Sequence, residues 1–479
     1  PAHGSATKNA CGQNGVLENM REVNWNNVKR EAPKWFRDAK FGLFFHWGPY
    51  SVPAYQNEWY SRNMYCKGLE QNQYHEKTYG SLHDFGYKDF YDMLKGEKFD
   101  PDQWASLVKR SGAKYAGAVS EHADNFSMWD SAVNPINSMN YGPHRDIVGE
   151  CTEAFRKQGI RTVATFHHQW LWGWFMSTDN EADVYIPENE KYYGPALPLE
   201  TNRYIPYRYP DEAFCKIWRD KVLEVIDKYE PDEVYFDSRT CIIQEDYRYD
   251  VAEYYYNIRG IKDGIITYKQ EDYPKDIGVY DIECGRFSSP KDFPWQSDDR
   301  LEDNITWCMV QNPKYKSAER IIHQLCDIVS KNGNLLLNVG PYADGSFHPD
   351  AVRILEEIGD WLALNGEAIY ETRPFKVAAE GPTTVDDANY DVEKIQEQLD
   401  KGDAVDVHSD TLTAQDFRFT THGDDLYAIA FGWPEDGEFR ICTLRKGGIL
   451  DGEIKKVTML GNEGELAFYR KEDGLYVKA

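Results

Sequence analysis

The sequence predicts an α/β fold, a (β/α)8-like (TIM) barrel followed by a C-terminal β-sandwich. Short apolar segments alternate with amphipathic segments over the first three quarters of the chain, which is typical of strands and helices around a parallel sheet. Several apolar segments end in a polar residue. After residue 372 the pattern changes to short strands separated by turns. We therefore expect a catalytic barrel with an N-terminal extension at 1–372 and a β-sandwich at 373–479.

The predicted barrel strands are short runs of apolar residues. They lie at 42–46, 115–120, 162–167, 233–237, 265–268 and 335–339. The predicted helices have apolar residues at helical spacing and lie at 104–111, 147–157, 212–229, 251–259, 318–329 and 349–364. A doubly wound sheet is the alternative, but no glycine-rich phosphate-binding fingerprint supports it.

The C-terminal region begins with an acidic, loop-like stretch at 383–406. Strands are then predicted at 417–420, 426–431, 439–444, 454–459, 466–469 and 475–477. Six short strands in a region of this size favour a small sandwich.

Composition excludes several classes of partner. The formal net charge of -26 repels phosphate backbones, so we expect no nucleic-acid partner. No run of about 18 apolar residues is present, so we expect no membrane span. The nine cysteines form no CxxC pair, which argues against a structural zinc cluster. The chain begins at Pro1 without Met or an apolar leader, which fits either a processed secretory precursor or an artificially shortened chain.

Histidines lie at or just beyond the ends of three predicted strands, at His46, His122 and His167. The carboxyl ends of barrel strands form the active site in this architecture, so these side chains are candidates for substrate binding. Histidines at strand ends also suit a divalent metal. However, the sequence has no HxH pair here, and only one of the adjacent His167 and His168 can point inward from a strand. We therefore expect no metal site.

Two carboxylates are candidates for carbohydrate chemistry. Asp237 ends the apolar strand at 233–237, where it can attack an anomeric carbon; the alternatives are a helix N-cap and an ion pair with Arg239. Glu58 precedes Trp59, so a carboxylate that accepts hydroxyl hydrogens stands beside an indole that can pack on a sugar face. The alternative is a surface glutamate beside a core tryptophan.

Long segments of the chain resemble one known family. The stretch at 35–48 reads WFRDAKFGLFFHWG and is followed by YSVPA at 50–54 and EWY at 58–60. The stretch at 325–345 reads LCDIVSKNGNLLLNVGPYADG, and further matches lie at 366–370, 372–375, 416–419 and 426–430. In these segments the chain resembles the α-L-fucosidases, glycoside hydrolase family 29, over nearly its whole length.

The resemblance implies a retaining mechanism in which Asp237 is the nucleophile. A retaining enzyme needs a second carboxyl group about 5–5.5 Å from the first, which acts as acid and then as base. Glu283, in the sequence YDIECGR, is the predicted acid/base. Glu271 is its rival, followed by Asp281, and a loop ion pair between Glu283 and Arg286 remains open.

The resemblance also implies which residues bind the sugar. They are His46, Glu58, Trp59, His122 and His167, with Trp295 either lining the pocket or packing in the core. Three positions depart from the family pattern: Ala123 stands where a second histidine is frequent, His167 where many members have tyrosine, and Lys269 near a common arginine. An alanine that faced C6 of the sugar would admit the hydroxymethyl group of L-galactose.

The predicted function is exo-hydrolysis of terminal α-L-fucose, or a closely related α-L-sugar, from glycans by double displacement. An α-L-galactosidase and a catalytically inactive sugar-binding homologue are the alternatives. No cofactor is expected, and the expected partner is a fucosylated or α-L-galactosylated oligosaccharide or polysaccharide. The resemblance further suggests a secreted, periplasmic or lysosome-like location and a possible homo-oligomer.

Overall fold

A computed structural model describes residues 22–195, 197, 208–383, 387, 411–450 and 452–479. Its first part is a closed barrel of eight parallel strands, each paired with the next and the last with the first. The strands are β1 (Phe41–Phe45), β2 (Tyr115–Glu121), β3 (Arg161–Phe166), β4 (Glu233–Phe236), β5 (Ile265–Lys269), β6 (Val279–Asp281), β7 (Trp295–Arg300) and β8 (Gly333–Asn338). This confirms the predicted barrel.

Helices surround the barrel in the described part of the chain. They are α1 (Lys34–Ala39), α2 (Tyr60–Asn63), α3 (Glu70–Thr78), α4 (Pro101–Arg110), α5 (Ile147–Lys157), α6 (Glu190–Tyr193), α7 (Glu212–Tyr229), α8 (Glu245–Glu253), α9 (Ala318–Ser330) and α10 (Pro349–Asn365). None of these described helices is both long and apolar enough to cross a membrane.

The helix predictions are accurate where capping residues are clear. α5 and α7 have the predicted bounds, and α7 begins after Asp211, whose carboxylate accepts a hydrogen bond from the Phe214 amide at 2.8 Å. α4 starts three residues earlier than predicted because Asp100 caps it and Pro101 fits its first turn. The helix predicted at 251–259 begins at Glu245 instead and continues as a π-helical turn over Tyr254–Ile258.

Two barrel strands are absent from the prediction. β6 has only three residues, and β7 reads WQSDDR, so its apolar content is too low to be recognised as a strand. All six residues of β7 are nevertheless buried. The barrel core is therefore polar beside β7, and the charged side chains of this strand indicate a buried cluster of charged residues.

The C-terminal region contains two three-stranded antiparallel sheets. Their strands are β9 (Arg373–Glu380), β10 (Phe417–His422), β11 (Asp425–Ala430), β12 (Glu438–Ile441), β13 (Phe468–Lys471) and β14 (Gly474–Lys478). Apolar residues of both sheets form one cluster, as expected for a sandwich. The strand predicted at 454–459 is wrong, since only an isolated bridge at Thr458 forms there. β9 was not predicted, and most of the acidic stretch at 383–406 lies outside the described residues.

The sandwich contacts the barrel through α9. Buried Arg418 of β10 donates from Nε to Asp327 Oδ1 of α9 at 2.6 Å, and the Lys331 ammonium contacts the other oxygen of that carboxylate at 2.6 Å. Thr420 donates its hydroxyl to the carbonyl of Ala368 at 2.7 Å. These buried polar contacts fix the sandwich on the barrel wall beside α9.

Candidate active site

One lysine joins three carboxylates at the carboxyl ends of β4 to β7. Lys269 ends β5, and its Nζ lies 3.1 Å from Asp237 Oδ1, 2.8 Å from Glu283 Oε2 and 2.9 Å from Asp298 Oδ2. Asp237 follows β4, Glu283 lies two residues beyond β6, and Asp298 lies in β7. The barrel thus brings four neighbouring strand ends to one ammonium group. Because these salt bridges are buried, we expect them to hold the four side chains in fixed positions.

The shared contact sets the separation of the two predicted catalytic carboxylates. Oxygens that touch one nitrogen at 3.1 and 2.8 Å can be no more than about 6 Å apart. Carboxyl groups of retaining glycosidases are about 5–5.5 Å apart, whereas those of inverting enzymes are about 6.5–9.5 Å apart. The limit for these two oxygens is compatible with the retaining separation and lies below the inverting range.

Glu283 has the protonation behaviour of a general acid. Burial raises its pKa to about 7; the charge of Lys269 lowers it, and the charges of Asp298 and Asp237 raise it. Its side chain is still 19% exposed, so a substrate atom can reach it. Neighbouring Asp281 is more deeply buried, and burial together with the charge of Asp298 raises its pKa well above the ordinary value. A carboxyl group with a pKa near 7 can both donate and accept a proton at neutral pH.

Asp237 is held in place from two sides. The indole Nε1 of Trp170 donates to its Oδ2 at 2.8 Å, while Lys269 holds Oδ1. The backbone amide of Asp237 donates to Phe166 O at 3.0 Å, which continues the β3–β4 pairing beyond the strand. The Arg239 guanidinium lies 3.9 Å from the Trp170 ring centroid, so it stacks on the indole that orients the carboxylate. The side chain of Asp237 is 14% exposed and remains accessible.

The three predicted histidines lie together beside this cluster. The ring centroids of His46 and His122 are 5.6 Å apart, those of His46 and His167 5.1 Å, and those of His122 and His167 4.9 Å. His168 points the other way and stacks on Trp218 at 5.7 Å, which confirms that only one histidine of the pair faces inward. We call His46, His122 and His167 the histidine group.

The histidine group is neutral. Burial lowers the pKa of His46 to about 4 and lowers the pKa values of His122 and His167 well below the ordinary value. His46 Nδ1 lies 2.7 Å from Asn338 Oδ1 at the end of β8. Neutral imidazoles offer one hydrogen-bond donor and one acceptor each, which matches the hydroxyl groups of a sugar.

Glu58 and two tryptophans form another wall of the site. Glu58 is buried, and its Oε2 accepts a hydrogen bond from the Trp307 amide at 2.9 Å. The Trp307 ring lies 5.5 Å from the His46 ring and 5.8 Å from the Lys269 ammonium. Trp59 is partly buried against Trp174, at a centroid distance of 4.8 Å. The wall combines a carboxylate with aromatic faces, as carbohydrate sites commonly do.

Two sequence predictions do not fit this arrangement. Trp295 begins β7 at the opposite end of the barrel, is fully buried, and donates its indole hydrogen to Lys331 O at 2.8 Å, so it belongs to the core and is left out of the site. Glu271 is exposed beyond β5, whereas Glu283 contacts Lys269. The geometry therefore favours Glu283 over its rival.

Four residues that complete the site were given no role in it from the sequence. Lys269 directly follows the apolar segment predicted at 265–268, and Trp170 lies close to the end of the strand predicted at 162–167. Asp298 lies where no strand was predicted, so the sequence pattern gave no signal for it. Trp307 lies in an irregular segment after β7 that was not predicted, so nothing in the sequence pattern placed it near His46.

Family comparisons cover both parts of the chain. A sequence model described as α-L-fucosidase matches residues 12–367, and one described as α-L-fucosidase C-terminal domain matches residues 409–479. The tissue α-L-fucosidase of Rattus norvegicus is 29% identical over 469 residues, which cover 94% of this chain and 87% of the relative. The tissue α-L-fucosidase of Mus musculus is 30% identical, with 93% and 87% covered.

Solved structures agree with these matches. The α-fucosidase of Thermotoga maritima in complex with fucose has a TM-score of 0.72 at 25% identity, with 96% of each chain covered. The same enzyme with a mechanism-based inhibitor has a TM-score of 0.73 at 25% identity. Barrel and sandwich are therefore similar in order and extent to those of these structures.

Proposed function

The chain belongs to the α-L-fucosidase family and is a glycoside hydrolase, and from this premise we propose which residues cleave the bond. The substrate is a glycan with a terminal α-L-fucose. Asp237 is the nucleophile and Glu283 the acid/base. The observation that carries this assignment is the contact of both carboxylates with the single ammonium of Lys269, which keeps the contacting oxygens within about 6 Å, below the separation of inverting enzymes.

In the first step, Asp237 attacks C1 of the fucosyl group while Glu283 gives its proton to the departing oxygen. Trp170 and Lys269 hold the two oxygens of Asp237, so the attacking carboxylate is oriented before the substrate arrives. The C1–O bond breaks, an ester forms at Asp237, and the shortened glycan leaves with the proton from Glu283.

In the second step, Glu283 acts as the base. The ester at Asp237 carries no charge, so one of the negative charges that raise the pKa of Glu283 is gone. Lys269 remains beside Glu283 and lowers that pKa further, which favours the carboxylate that accepts a proton from water. The water oxygen then displaces Asp237 from C1, and fucose leaves with its original configuration.

The histidine group binds the sugar together with Glu58, Trp59 and Trp307. His46, His122 and His167 can donate to or accept from the ring hydroxyls, and Glu58 can accept from a hydroxyl next to them. Trp59 and Trp307 offer aromatic faces for the apolar side of the sugar.

Fucose is the sugar that we propose because the relatives and solved structures compared are α-fucosidases. The α-L-galactosidase alternative depends on Ala123 facing C6, and Ala123 packs in the hydrophobic core cluster. Comparing hydrolysis of a matched aryl α-L-fucoside and aryl α-L-galactoside separates the two sugars. The expected location and the possible homo-oligomer stay predictions.

Replacement of the nucleophile tests the assignment directly. Asp237→Gly should lower kcat by about a thousandfold or more, since the covalent path is lost. Azide should then restore turnover of an aryl α-L-fucoside and give the β-L-fucosyl azide, whose configuration is read by NMR. Restored turnover with an α product, or no loss on mutation, would show that Asp237 is not the nucleophile.

Replacement of the acid has a different signature. Glu283→Ala should lower kcat/KM for a natural fucosylated glycan far more than for a substrate with an activated aryl leaving group, because only the former needs protonation. Glu271→Ala is the matched control and should change neither rate. If the pattern appears in Glu271→Ala instead, the roles of the two glutamates are exchanged.

A further inference from the structure

The histidine group has the arrangement of a metal-binding triad. His46, His122 and His167 come from three consecutive strands, β1 to β3, and one ring nitrogen of each lies within 4.8 Å of the others. Within any single strand, the spacing of the histidines speaks against a metal site. The barrel instead places one histidine from each of three strands in the same layer, which sequence spacing does not reveal.

Asn338 fixes which nitrogen of His46 is available. Its Nδ2 donates to Trp307 O at 2.5 Å, so its oxygen is the atom that faces His46. That oxygen lies 2.7 Å from His46 Nδ1 and can only accept. The hydrogen of the neutral ring is therefore on Nδ1, and Nε2 carries a free lone pair. A ligating imidazole whose other nitrogen donates to a protein oxygen is typical of metal sites.

The other two rings also have uncommitted nitrogens. His122 Nδ1 and His167 Nδ1 are buried and have no hydrogen-bond partner among the described atoms. Buried polar atoms without partners cost free energy, so a ligand that engages them is favoured.

We propose that His46, His122 and His167 bind a divalent cation of borderline softness, with Zn²⁺ as the type case, and that this cation and the sugar exclude each other. Three imidazoles with a further position open to water is a common zinc arrangement. Ca²⁺ and Mg²⁺ prefer oxygen ligands, so the site discriminates against them. The cation is an inhibitor and not a cofactor, since it occupies the place of the sugar hydroxyls. Only this inhibition rests on the proposed function; cation binding does not.

Charged side chains around the histidine group both attract and repel a cation. The negative charge of Asp237 acts on His46 and His122 and favours a cation at these rings. Lys269 has the opposite effect on His46 and His167. The carboxylates of Asp237 and Asp298 outnumber the single ammonium of Lys269 that they contact, and the net charge of the chain is -26. A divalent cation is therefore attracted to this end of the barrel.

Calorimetry on the full chain tests cation binding without any assay of activity. Zn²⁺ titrated into chelator-treated protein should bind with one ion per chain, and Co²⁺ in its place should show the intense visible absorption of a low-coordinate site. His167→Phe and His167→Gln, each checked for folding by circular dichroism, should weaken Zn²⁺ binding by at least about tenfold. His83→Ala is the control, because His83 is exposed and pairs with its neighbour Asp84, outside the histidine group.

The outcomes separate the two proposals. Saturating L-fucose should weaken Zn²⁺ binding to the wild type, and Zn²⁺ should inhibit competitively against an aryl α-L-fucoside. Zn²⁺ binding that His167 variants lose but fucose does not affect would support the cation site and contradict the sugar pocket. Absence of binding at millimolar Zn²⁺, or binding that only His83→Ala removes, would overturn the cation site. Anomalous diffraction from Zn²⁺-soaked wild-type crystals locates the ion even if both His167 variants fail to fold.

Discussion

At the scale of single residues, Lys269 accounts for the protonation behaviour of the proposed site. Its ammonium contacts Asp237, Glu283 and Asp298, so it supplies positive charge that each carboxylate shares. The pKa of Glu283, about 7, is the balance between burial, which raises it, and this ammonium, which lowers it. The histidines and Asp237 were predictable because each follows an apolar strand. Lys269 was noted only as a departure from a family pattern, since its role needs four strand ends together.

The pH profile should report this balance. Glu283 must be protonated in the free enzyme, so kcat/KM should fall as the pH rises through about 7. Lys269→Met removes the charge that lowers this pKa. The alkaline limb of the kcat/KM profile should then move to higher pH by about one unit or more, and the rate should fall. Both profiles are measured with an aryl α-L-fucoside.

Lys316→Met is the matched control for this change. Lys316 is equally buried and contacts Asp299, the residue after Asp298, at 2.8 Å. The Lys316→Met substitution should leave the alkaline limb of the kcat/KM profile near pH 7. If the alkaline limb moves equally in both variants, or does not move in Lys269→Met, Lys269 does not set the pKa of Glu283.

At the scale of elements, the strand ends position the chemistry, and β7 shows the limit of sequence patterns. Apolar strands such as β1 and β8 are readily recognised. β7 carries Asp298, Asp299 and Arg300 in a buried strand, which the alternation of polar and apolar residues cannot predict. Such charges are tolerated inside because partners from other strands neutralise them, as Lys269 does for Asp298. Tertiary partners are not visible in one sequence.

The close approach of β2 and β3 should make the barrel sensitive to one methyl group. A Cβ added at Gly117 would lie 1.9 Å from the carbonyl oxygen of Val163, which is backbone and cannot move aside. Gly117→Ala should therefore cost more than about 3 kcal/mol of stability and reduce the yield of folded protein. Thermal unfolding followed by circular dichroism measures the loss.

Gly159→Ala is a control with a different physical cause. Nothing lies within 4 Å of a Cβ at Gly159, but its φ is +74°, so only backbone strain opposes the substitution. The expected cost is about 1–2 kcal/mol. If Gly117→Ala were no more destabilising than Gly159→Ala, the β2–β3 contact would not limit packing.

At the scale of the whole molecule, the sandwich is attached to the barrel by buried charge. The change from helical to short-strand patterning predicts the second unit, and α10 ends at Asn365 while β9 begins at Arg373. We propose that the domain boundary lies between 372 and 373. The partner of Arg418 could not be predicted, because Asp327 lies 91 positions away on a different element.

Loss of the Arg418 contact should destabilise the assembled molecule. Arg418→Met leaves the Asp327 carboxylate buried with Lys331 alone, and we expect the free energy of unfolding to fall by about 3 kcal/mol. Arg440→Met is the control within the same sandwich, since the Arg440–Asp473 pair is half exposed and should contribute less than about 1 kcal/mol. Urea unfolding compares the variants, and equal losses would contradict a special role for the buried pair.

The most direct test of the proposed mechanism is capture of the covalent intermediate. Asp237 should displace fluoride from C1 of a 2-deoxy-2-fluoro-α-L-fucosyl fluoride and form an ester with the sugar. The ester should hydrolyse slowly, because the 2-fluoro group opposes positive charge at C1 in both steps. Mass spectrometry should then show one fluorofucosyl group per chain, on the peptide that contains Asp237, and none in Asp237→Gly. A label on another carboxylate, such as Glu283 or Asp298, or turnover to an inverted product without any label, would contradict the account.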